Sequence, residues 1–135
     1  MTNADFPMGT SGSNLMEEIL ERMRQTCPGV SAVALMTRAG LPIEAKGVQV
    51  DPALFSAMAA TIAAVSEKAV NDLQNGLLEA VILQSDKGYI LLVGCGKHAV
   101  LAALTDRQDQ IGMLFVVTQK IAEDLGDRIT EGGLD

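Results

Sequence analysis

The densest group of reactive side chains is Cys95-Gly96-Lys97-His98. A thiol near an imidazole could form a nucleophile–base dyad, the histidine taking the proton as the thiolate attacks. No third group stands nearby to orient the histidine. A metal site is short of ligands, because His98 is the chain's one histidine and Cys27 its one other cysteine. A phosphate loop is matched only at Gly96-Lys97. Leu91 stands where the first glycine is required, and His98 replaces the Ser or Thr. That loop also needs strand then helix, whereas this segment joins strand to strand. The favoured reading is a hairpin with a small buried thiol and a rim histidine: no catalytic residue, no metal, no cofactor. The alternative, an enzyme using Cys95 and His98, requires a turnover that Cys95→Ser would abolish. Gly112, near the start of the last helix, is read as close helix–sheet packing rather than as an anion site.

The elements around this group follow from periodicity. Residues 1–13 are polar and read as a flexible tail. Asn14 is placed as the cap of a helix with Glu17 as capping-box partner and Met16, Ile19, Leu20, Met23 and Cys27 inward; Pro28-Gly29 ends it. Val30 to Thr37 (VSAVALMT) and Leu41 to Gly47 (LPIEAKG) form a hairpin, the second an edge strand because Pro42 cannot donate to a ladder. A long helix starts at Asp51-Pro52 and stops near Asn75-Gly76. Leu77 to Gln84 (LLEAVILQ), Tyr89 to Cys95 (YILLVGC) and His98 to Thr105 (HAVLAALT) make a meander, with Gly88 at a positive-φ turn position. The last two strands are apolar on nearly every residue, so both sheet faces must be covered. Asp106 or Asp109 caps a last helix with Ile111, Leu114, Phe115, Thr118, Ile121, Ala122 and Leu125 inward, and Thr130 to Asp135 is a polar tail. The expected fold is an α/β (α+β) sandwich, one domain over residues 14–129: a five-stranded antiparallel sheet with the middle helix on one face and the terminal helices on the other.

Composition narrows the function. The chain has 135 residues and a net charge of −7, which disfavours nucleic acid, whose recognition needs clustered Lys and Arg. No charged-then-apolar signal opens it and two cysteines make no disulfide framework, so the cytoplasm is the expected location.

The middle helix is the unusual stretch. From Pro52 to Ser66 it carries no charge, whereas a surface helix keeps one charged face. It is too short in apolar residues for a membrane span, which needs about 20, and Glu67, Lys68 and Asp72 follow at once. The helical repeat sorts it into three sectors. Leu54, Met58, Ile62, Val65, Ala69 and Leu73, with Phe55 at the edge, form the stripe of large residues and are expected to pack on the sheet. Ser56, Ala59, Ala63, Ser66 and Val70 form a second sector, and Ala53, Ala57, Ala60 and Ala64 a third. Alanine is the best helix former, which alone could explain the small sectors. The sharper reading is that a second protein surface covers at least one of them.

The run PGVSAVALMTRAGLPIEAKG, the alanine-rich helix, the GYILLVGCGKHAVLAALT meander and QIGMLFVVTQKIAEDL together resemble the roadblock / dynein light chain family, of the bacterial and archaeal type linked to Ras-like GTPases. The resemblance runs from about Leu15 to Leu125 and rests on the order of all four stretches. It implies a profilin-like roadblock fold and a homodimer in which the middle helices lie side by side and the strand after them pairs with its twin. On this chain that assigns Ala59, Ala63, Ser66 and Val70, with Leu77, Glu79, Val81 and Leu83 of the following strand, to the dimer contact. The residues agree, since an uncovered LLEAVILQ edge with one charge, at Glu79, would invite aggregation. Ala53, Ala57, Ala60, Ala64 and Glu67 would then form a platform for a Ras-like small GTPase. Arg22, Arg24, Arg38, Arg107 and Arg128 are scattered; Arg38, on the first hairpin turn, is the most projecting candidate for an arginine finger, and a solvated turn residue is the plainer reading. The resemblance therefore points to a non-catalytic homodimeric adaptor that modulates a GTPase's nucleotide cycle, with no nucleic acid and no membrane insertion. The alternative is a structural, light-chain-type subunit of a larger assembly.

Overall fold

A computed structural model describes residues 12–106 and 111–132. The elements are α1 (Gly12–Thr26), β1 (Val30–Thr37), β2 (Pro42–Lys46), α2 (Pro52–Asp72), β3 (Val81–Ser85), β4 (Gly88–Cys95), β5 (Ala99–Thr105) and α3 (Ile111–Gly132). The five strands form one sheet in the order β2-β1-β5-β4-β3, every pair antiparallel. The two hairpins sit at opposite ends of the sheet, and β5 joins them by pairing with β1. This is the expected sandwich, with β2 and β3 at its edges.

Strand alternation divides the core in two. Val33, Leu35, Leu91, Val93, Leu101 and Ala103 face α1 and α3, where they meet Met16, Ile19, Met23, Leu114, Ile121 and Leu125. Ala34, Met36, Leu92, Val100 and Ala102 face α2, where they meet Phe55, Ala59 and Ala63. The central strands are therefore apolar on both sides because helices cover both sides.

Several boundaries differ from expectation. Helix α1 begins at Gly12, so Asn14 lies inside it and is not its cap. Helix α3 runs to Gly132, so 130–132 are helical and not tail. Of the expected 1–13 tail, residues 1–11 lie outside the described residues, as does the cap at Asp109, and Gly12 and Ser13 are helical. Helix α2 begins as expected, the Asp51 carboxylate accepting the Ala53 N–H at 3.1 Å ahead of Pro52. It ends earlier than expected, at Asp72, where Gln74 takes the left-handed conformation (φ 54°) two residues before Gly76. Strand β3 begins at Val81, four residues later than expected. On its own protomer β3 has a partner on one side only, and its ladder with β4 stops at Val81↔Leu92.

Two glycines are required where they stand. At the tight β3–β4 turn, where Ser85 faces Gly88, φ of Gly88 is +147° and a Cβ there would strike the backbone of Thr105. Gly126 of α3 lies against the β4–β5 turn, and a Cβ on it would stand 2.8 Å from the Gly96 nitrogen. Gly112, expected to mark close packing, instead has nothing within 4 Å of a built Cβ. The close contact lies fourteen residues later on the same helix.

Candidate protein-binding interface

Burial splits the reactive cluster, covering the Cys95 thiol and leaving Lys97 and His98 exposed. Cys95 is fully buried, and its Sγ–H donates to the Ala122 carbonyl at 3.4 Å. Burial pushes its thiol up to about 12 against the opposing pull of the Arg38 guanidinium, and burial also raises Cys27. A thiol held protonated and covered is no nucleophile. Lys97 and His98 border an open depression of about 670 Å³ facing Glu123 and Asp127 of α3, and Cys95 is not part of its wall. No three His, Cys, Asp or Glu residues converge among the described residues.

Arg38 does not project. Its Nη2 donates to the Gly96 carbonyl at 3.2 Å and its Nη1 lies 3.5 Å from the Glu67 carboxylate. The guanidinium is folded across the mouth of the β4–β5 hairpin and ties the end of β1 to α2.

The packing of α2 is turned relative to expectation: of the expected stripe Phe55 and Ile62 stay against the sheet-side core, and small residues take the rest of the inner side. The residues it buries are Phe55, Ser56, Ala59, Ala60 and Ala63. Leu54, Met58 and Val65, expected on the sheet, are 54, 49 and 63% exposed. Ala59 and Ala63 are thus core residues of their own protomer and are withdrawn from the dimer contact, and Ala60 is withdrawn from the platform. Small side chains let the helix axis settle close to the sheet, and the Gly40 turn reaches up to meet it, with a Cβ on Gly40 falling 3.3 Å from Ala57 Cα. Ser66 and Val70 are half-buried along the foot of the helix, while Ala53, Ala57, Ala64 and Glu67 are exposed. Leu77 and Glu79 are exposed and precede β3; Val81 and Leu83 lie within it. A sequence signal for the rotation exists. Asp72 falls five full turns after Leu54 and so on the same line of the helix. The Ala59, Ala63, Ser66, Val70 line stays uncharged to the end.

The exposed flank of α2 continues into an apolar groove that the sequence reading missed. Its volume is about 440 Å³. The wall is Phe55, Met58 and Ile62 from α2, Val48 and Val50 from the preceding loop, and Leu83, Ile90, Leu92 and Leu104 from the sheet. It opens because α2 lies over β1 and β2 and leaves the β3 side of that face bare. By length and apolarity α2 could cross a membrane, but its buried flank is committed to the sheet.

This arrangement sets a bare β3 edge beside an exposed helix flank that carries no charge from Pro52 to Ser66. The sequence pattern of the Roadblock/LC7 domain matches residues 15–105. The chain belongs to the Roadblock/LC7 domain family. No curated protein matches it. Among solved structures it is similar to a Roadblock/LC7 domain from Streptomyces avermitilis, with TM-score 0.74, 18% identity, and 83% of this chain and 95% of that one covered. It is also similar to the gliding protein MglB from Thermus thermophilus, with TM-score 0.72, 19% identity and coverage of 86 and 89%. Profilin II of Acanthamoeba castellanii superposes with TM-score 0.62, 16% identity and coverage of 87 and 98%. The Roadblock/LC7 fold is therefore profilin-like, as expected. Helix α3, which packs the Gly96–Gly126 contact, lies beyond the matched 15–105 stretch.

Proposed function

We propose that this protein is a non-catalytic, cytoplasmic homodimeric adaptor that binds a Ras-like small GTPase and tunes its nucleotide cycle. One observation carries the reading: the outward flank of α2 presents Leu54, Met58 and Val65, each about half exposed or more, on a stretch with no charge from Pro52 to Ser66. Such a surface does not suit a lone molecule in water. In the proposed dimer the two α2 helices meet on this flank. Residues 77–85 pair with their twin across the bare β3 edge, so that Leu77, Glu79, Val81 and Leu83 join the interface and the edge disappears. Ala53, Ala57, Ala64 and Glu67, on the opposite flank, are left as a platform repeated on both protomers. Membership of the Roadblock/LC7 family supports the reading, because the sequence resembles the GTPase-linked members.

The experiment is a pull-down of the small GTPases of the same organism, each loaded with GDP or a non-hydrolysable GTP analogue. Retention of one of them, lost with Ala57→Arg, is expected. No retention in either state overturns the GTPase assignment.

A further inference from the structure

Helix α2 ends at Asp72, and the backbone closes it with three bonds. Leu73 N–H donates to the Ala69 carbonyl, Gln74 N–H to the Asn71 carbonyl and Asn75 N–H to the Val70 carbonyl, each at 3.0 Å. Just past this closure the Asn75 side chain and Gly76 are exposed. Among the described residues neither that side chain nor the Gly76 N–H has a hydrogen-bond partner. Gly76 lies at φ +90°, and nothing comes within 4 Å of a Cβ built on it. Asparagine is among the chemically labile side chains. Here it is followed by an amide nitrogen that is unbonded, open to water and not shielded by any side chain of its own residue.

We infer that Asn75-Gly76 is a deamidation site of the folded protein. The Gly76 nitrogen gives its proton to hydroxide and attacks Cγ of Asn75. The bond from Cγ to the side-chain nitrogen breaks, and ammonia leaves with a proton taken from water, which regenerates the hydroxide. The five-membered imide then takes up one water. Opening at Cγ yields aspartate in an ordinary main chain. Opening at the main-chain carbonyl yields isoaspartate, with the chain routed through Cγ and one methylene longer. No electron is gained or lost. Either product takes the net charge from −7 to −8 by adding one carboxylate. That carboxylate stands three residues after Asp72, at the helix end where the macrodipole is already negative. The isoaspartate also lengthens the link to Leu77, which is 88% exposed. Asn71 gives the contrast. It lies inside α2, and the amide that follows it belongs to the helix ladder, so the fold protects it. The inference does not rest on the GTPase or on the homodimer, because the pair lies outside residues 77–85.

The test holds the full chain in mildly alkaline buffer, folded or in urea, and maps it by peptide mass. Folded protein should lose the side-chain amide of Asn75 at a rate comparable with that in urea. Asn71 should lose its own only in urea. The product should accept a methyl group from an isoaspartate-specific carboxyl methyltransferase, and an acidic charge variant should accumulate in step. Asn75→Gln should abolish the methyl acceptance of folded protein, since its side chain is one methylene too long for the five-membered ring. The substitution leaves the helix closure intact, because that closure uses only the backbone of residue 75. Asn75 intact in folded protein but lost in urea overturns the site. So does equal loss at Asn71 in folded protein, or methyl acceptance that survives Asn75→Gln.

Discussion

Ala63→Leu separates the two roles that α2's small residues could play. Ala63 is 8% exposed and belongs to the cluster of Met36, Phe55, Leu92, Val100 and Ala102. The cleft beside it holds about 30 Å³, room for one water at most. Three added carbons cannot fit, so either the helix lifts or its neighbours leave their rotamers. Overpacking of that kind costs roughly 1–3 kcal/mol. For a domain of this length each kcal/mol moves the melting temperature by roughly 3–5 °C, so a drop of roughly 3–15 °C is expected. The neighbouring Ala64→Leu is the control, since that position is exposed and a surface change stays within about 0.5 kcal/mol. The assay is thermal melting by circular dichroism at fixed protein concentration, because the proposed dimer would make stability concentration-dependent. An unchanged melting temperature for Ala63→Leu, accompanied by loss of the dimer, would refute the packing described here and return Ala63 to the intersubunit contact.

The remaining tests probe the frame around α2. Arg38→Ala removes an ion pair whose side chains are 36 and 55% exposed; such pairs contribute roughly 0–1 kcal/mol, so melting should fall by a few degrees at most, and a collapse would show the latch to be essential. Gly126→Ala forces a Cβ onto the Gly96 backbone and should cost roughly 1–3 kcal/mol in urea titration. Gly112→Ala meets open space and should stabilise by roughly 0.4–1 kcal/mol; equal effects of the two would contradict the contact. Because burial pushes the Cys95 thiol up to about 12 from 9.0, the folded state keeps a proton that the unfolded chain gives up. That contribution is complete below about pH 9 and is lost as pH rises through about 12. Unfolding midpoints should therefore decline above pH 9, and native protein at pH 8 should resist thiol reagents. Fast labelling of Cys95 under those conditions would show the site to be open.

How much was legible in the sequence depends on which physical term decided each element. The near-continuous apolar runs of β4 and β5 specified that both sheet faces are covered, because a bare face would leave either Leu91 or Leu92 in water. Pro42 marked one edge for a reason internal to its own residue, the missing donor. Helix α2 was placed correctly along the chain by Asp51 and Pro52 but assigned the wrong inner side. Periodicity reports that a helix has distinct flanks; it does not say which flank meets which surface. The assumption that large residues go inward fails where a helix must sit low on a sheet already filled by Met36, Leu92 and Val100. Only charge breaks the ambiguity, and on α2 it does so late, at Lys68 and Asp72, beyond the stretch that first draws the eye. The late start of β3 has a different origin. Leu77 to Ala80 have strand-like composition, yet the ladder with β4 stops at Val81↔Leu92 although β4 itself continues to Cys95. The same four residues that the sequence marks as strand and the protomer leaves unpaired are those that a second copy would complete. Under the proposed homodimer, the discrepancy marks an element whose partner lies on another molecule.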